Sequence, residues 1–105
     1  MLSIGTQLRV AVDAASSWLA WRNEARPVSI DVNQNPPVIQ LEPGQFLSYA
    51  IPRSSGASKP TFWANSKEDS GHCKMVFIDT FTYGERQRVV KLVALLKNGA
   101  AIEAA

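Results

Sequence analysis

A chain of 105 residues, 46% apolar and 19% charged, has room for one core but not two, and too much apolar content to stay disordered. Its net charge of +2 permits an anionic partner without demanding one. The single cysteine, Cys73, excludes an internal disulfide, and no apolar run nears the ~20 residues that span a bilayer.

The opening residues M-L-S-I-G-T-Q-L-R lack the basic start and long apolar core of a secretory signal. The expected setting is therefore the cytoplasm, or a particle assembled inside a cell, with no membrane partner. A chain of this size hides roughly 65% of its unfolded surface, so one domain over residues 1–105 can fold without staples.

Thr6 to Glu24 reads as a helix. A wheel gathers Val10, Ala11, Val12, Ala14, Ala15, Trp18, Leu19 and Trp21 with Leu8 in an arc of about 200°. Arg9, Asp13, Ser16, Ser17, Asn23 and Glu24 lie opposite. Thr6 can serve as the N-cap, and Pro27 closes the region. The rival reading is a pair of strands, because Gln7 to Asp13 alternates. A helix puts Trp18 and Trp21 on one face, whereas a strand sends them to opposite faces.

Strand signals follow. Val28 to Val32 alternates, Asn33 to Pro37 is turn chemistry, and Val38 to Leu41 alternates again. Glu42-Pro43-Gly44 suggests a type II turn into a third strand, Phe46 to Ile51, paired with the second as a hairpin. Arg53 to Pro60 and Asn65 to Gly71 read as polar loops flanking a short aromatic strand, Thr61 to Ala64. Cys73 to Phe81 is the longest predicted strand.

After a turn at Thr82–Gly84, Glu85 to Asn98 reads as a second helix. Its Val89, Val90, Leu92, Val93, Leu95 and Leu96 cover about 220°, where a surface helix needs an arc only somewhat wider than ~100°. Such a helix would be covered on more than one side. The expected fold is α+β: an antiparallel sheet of about five short strands flanked by an N-terminal and a C-terminal helix. The alternative is an all-β sandwich with a C-terminal helix.

Few residues carry chemistry. His72 and Cys73 are neighbours in an extended segment, so they point apart and make a poor nucleophilic dyad. Asp79 shares a strand face with Met75, Phe77 and Phe81, where a carboxylate would be desolvated and its pKa raised, as at some general acids. The plainer role for Asp79 is capping a turn where the strand ends. No metal-ligand spacing and no phosphate-loop motif is present, so neither a metal nor a cofactor is expected.

Two broad apolar arcs in one small domain point to self-association, with Trp18, Trp21, Leu92 and Leu96 as the expected oligomer interface. The leading expectation is a non-enzymatic, self-associating structural or protein-binding module, such as an accessory or particle-assembly protein of a phage or mobile element. The alternative is a single-stranded nucleic-acid binder using Arg53, Lys59 and Trp63, because basic residues beside aromatics hold phosphates and stack bases. A small enzyme using Asp79 or Cys73 is the third possibility.

Overall fold

The computed structural model describes residues 4–53, 61–64 and 72–97. Their order is α1 (Ile4–Trp21), β1 (Ser29–Asp31), β2 (Val38–Gln40), α2 (Pro43–Arg53), β3 (Thr61–Ala64), β4 (His72–Tyr83) and β5 (Arg86–Lys97). The strands form one open sheet in the order β1-β2-β5-β4-β3. The α+β class expected from the sequence holds, but two elements exchange identity within it.

Helix α1 forms because its inward residues recur at the helical period. Ala11, Ala14, Ala15 and Trp18 are buried, and small alanines let the helix sit close to the sheet. The buried stripe is narrower than the wheel suggested, since Leu8, Val10 and Val12 are exposed. The helix begins at Ile4, so Thr6 lies in its first turn and is not the N-cap. It ends at Trp21, where the Arg22 N–H still reaches the Trp18 carbonyl at 2.8 Å.

The stretch Phe46–Ile51, expected as a strand, belongs to α2. Pro43 occupies the first turn, where its missing N–H costs nothing, and the Phe46 N–H closes that turn on the Glu42 carbonyl at 2.9 Å. Phe46, Leu47 and Ala50 are buried, a helical spacing that a strand would split across two faces. Glu42-Pro43-Gly44 is thus a helix start and not a turn of a hairpin.

The segment Arg86–Lys97, expected as a helix, is strand β5. It lies between β2 and β4 in the sheet. It pairs with β4 over its whole length, from Tyr83↔Arg86 to His72↔Lys97. The joint is the two-residue turn Gly84-Glu85, and Gly84 has φ 64°. Glycine at the first central position suits the type II′ hairpin turn, which matches the twist of the flanking strands. Gly84→Ala is expected to cost about 1–2 kcal/mol, measured by urea unfolding, although open space surrounds the site.

Pairing is not antiparallel throughout. β2 runs parallel to β5 in the register Val38↔Lys91, Ile39↔Leu92 and Gln40↔Val93. The Lys91 N–H donates to the Pro37 carbonyl at 2.9 Å, and the Leu41 N–H to the Val93 carbonyl at 2.8 Å, extending the ladder at both ends. Parallel neighbours need a long crossover, supplied here by all the chain from α2 to β4.

Both helices pack on one sheet face. Met75, Phe77, Asp79 and Phe81 of β4 point to that face beside Val90, Leu92 and Ala94 of β5. With Ile39, Leu41, Phe46, Leu47, Ala50 and Trp18 they make the core. The two helices therefore lie side by side over one layer of sheet, and both precede it in the chain for the most part. No helix flanks the C-terminal end among the described residues.

Candidate functional site

Asp79 sits at the centre of the helix-facing side, only 1% exposed. An isolated carboxylate there would be costly, so its partners define the site. Trp18 Nε1 donates to Oδ2 at 3.0 Å and Arg53 Nε donates to Oδ1 at 2.6 Å. The Arg53 Nη2 also reaches the Thr80 carbonyl at 3.0 Å. One residue of each helix thus closes on one residue of β4, pinning α1 and α2 to the sheet at a common point.

The arrangement corrects two expectations. Asp79 does not cap a turn, because β4 continues four residues beyond it to Tyr83. Arg53 does not wait for a ligand on a loop, since it ends α2 and pairs with Asp79. The carboxylate is held at both oxygens and closed off from solvent.

Trp21 lies beside the pair, stacked on Phe81 at 5.1 Å and nearly parallel. The guanidinium groups of Arg22 and Arg53 stand 4.0 and 4.5 Å from its ring centre, and Arg22 is 4.9 Å from Tyr49. Cation–π attraction favours both placements. Burial, and then the positive charge of Arg53, push the Arg22 pKa down, with Asp79 and Tyr49 acting in the other direction. Its Nε is buried without a hydrogen-bond partner among the described residues. Arg22 also follows the last turn of α1, where a cation complements the helix dipole.

These contacts decide what the expected interface residues can do. Trp18 and Leu92 are completely buried in the chain's own core, so neither offers surface to a second copy. Trp21 is half-buried under the two arginines. Leu96 is placed only by its backbone, paired with Cys73. Of Trp63, likewise, only its pairing with Lys74 is described. Lys59, and residues 54–60 and 65–71 on which the expected polar loops fall, lie outside the described residues.

The opposite side of the sheet has a different character. In register with Val76, Ile78 and Thr80 of β4 stand Val93, Lys91 and Val89 of β5, and Val38 of β2 is the next neighbour of Lys91. No described helix covers this side. Ile78 and Leu95 are each 46% exposed, whereas Val76 and Val93 are buried between their neighbours. This apolar face was hidden in the sequence by reading β5 at the helical period. The signal that could have found it is the β-branched triplet Val89, Val90 and Val93 after a Gly-Glu turn.

Among the described residues no group of His, Cys, Asp and Glu side chains is arranged to hold a metal, and no helix is long and apolar enough to cross a membrane. No known family model matches this chain, and no curated protein or solved structure shows significant similarity to it.

Proposed function

We propose that this protein is a non-enzymatic, self-associating module whose second copy packs on the sheet face that no described helix covers. The observation that carries the reading is the exposure of Ile78, Val89 and Leu95 around the buried Val76 and Val93, on the side away from both helices. Each of β4 and β5 has 12 residues. At ~3.4 Å per residue and ~4.8 Å between strands, β5 and β4 with the three residues of β2 present a face of roughly 440 Å². Two copies would bury about 900 Å² in total, the size of a weak interface that forms as concentration rises.

A face-to-face pair of sheets is self-complementary, as a two-fold dimer requires. Lys91 shapes the fit. It stands between Ile78 and Val38 and is half-buried, so its stem lies on apolar neighbours while the ammonium must turn to the rim. That favours two sheets offset across the axis over two in perfect overlap, which would bring the lysines together.

Light scattering on the eluting protein tests the reading. The chain is expected to run as a dimer, and Ile78→Lys combined with Leu95→Lys to run as a monomer with its circular dichroism unchanged. Both positions are nearly half exposed, so the substitutions spare the core. A wild-type monomer at all concentrations would sink the reading.

A further inference from the structure

A second feature lies on the helix side of the sheet, where α1, the loop before β2 and the start of β5 enclose a groove of about 560 Å³. Ligand pockets for small molecules have volumes of about 300–1,000 Å³. Four charged residues line it: Arg9 and Asp13 from α1, and Arg86 and Arg88 from β5. The whole chain holds eleven basic and nine acidic residues. Three arginines against Asp13 leave the groove at +2, the formal charge of the entire chain.

The arginines are not equivalent. Arg88 is fixed: its Nε donates to Asp13 at 2.7 Å and its Nη1 to the carbonyls of Tyr83 and Arg86. Its own charge is thereby balanced by Asp13. Arg9 and Arg86 are exposed and have no ion-pair partner among the described residues. Two uncompensated guanidinium groups facing one concavity favour an oxyanion, because the planar fork of arginine matches phosphoryl oxygens. Val10 and Pro37 provide an apolar wall, and Asn35 and Gln87 bring amide donors and acceptors.

We propose that this groove binds an organic phosphate of about nucleotide size. Arg9 and Arg86 take the phosphoryl oxygens, and Val10 and Pro37 pack against the body of the ligand. The site shares no described polar contact with the Asp79 cluster. It does not depend on self-association.

Titration calorimetry at ~50 mM salt would compare AMP and phenyl phosphate with adenosine and inorganic phosphate. The two esters are expected to bind at least tenfold more tightly than either fragment, and to weaken severalfold at ~200 mM salt. Arg9→Ser with Arg86→Ser is expected to reduce ester affinity at least tenfold with an unchanged urea midpoint, since both side chains are exposed. Absence of ester binding at millimolar concentration, adenosine binding as tight as AMP, or unaltered affinity in the double variant would each overturn the proposal. So would uptake of a single-stranded oligonucleotide with no binding of the esters.

Discussion

Replacing Asp79 with alanine is expected to lower the unfolding free energy by about 3 kcal/mol, a large share of the ~5–15 kcal/mol that holds a domain of this kind. The loss has two parts. The Trp18 Nε1–H would be left buried without an acceptor, a cost of about 1–3 kcal/mol. Arg53 would lose its counter-ion. Its side chain is 26% exposed, so water can recover part of its hydration, which keeps the total near the lower end of the 3–5 kcal/mol seen when buried pairs are broken. Urea unfolding of Asp79→Ala, Trp18→Phe and their double variant would measure the coupling. If Trp18 and Asp79 contribute independently, the cluster does not pin the helices as described here.

The second large effect is a pattern along β5. Leu92→Ala is expected to cost about 3–4 kcal/mol, because Leu92 is completely buried between both helices and the sheet. Leu95→Ala and Val89→Ala are expected to cost under about 1 kcal/mol each, because both side chains are exposed. The three positions are spaced i, i+3 and i+6. In a helix they would share one face and respond together; in a strand Leu92 faces away from the other two. Equal losses at all three positions would overturn the strand. The comparison also separates core from interface: Leu95→Ala should weaken self-association while leaving the protomer's stability nearly unchanged.

Charge on β5 follows the same rule. Read at 100° per residue, Arg86 and Arg88 lie on different sides of a helix and suggest a solvated surface. At the strand period they fall on one side, and with Arg9 from α1 they line one groove. The basic site was therefore invisible in the sequence for the same reason that the strand was. Arg53 failed differently. Its position was read as the start of a polar loop, and nothing local signals a carboxylate twenty-six residues away.

Where the pattern was local, sequence reading sufficed. The inward alanines and Trp18 of α1, the alternation of β2, and the face shared by Met75, Phe77, Asp79 and Phe81 all follow from side-chain periodicity within one element. Composition likewise argued against disorder, and a single cysteine excludes an internal disulfide. Tertiary structure decided the remainder. The run R-V-V-K-L-V-A-L-L-K is apolar over about 220° at the helical period and on both faces at the strand period, so only its partners, β4 on one edge and β2 on the other, make it a strand. The run F-L-S-Y-A-I is too short to show its period, and burial of Phe46, Leu47 and Ala50 against the sheet makes it a helix. Backbone hydrogen bonds to distant strands and burial against distant side chains outweigh a propensity difference of a few tenths of a kcal/mol per residue.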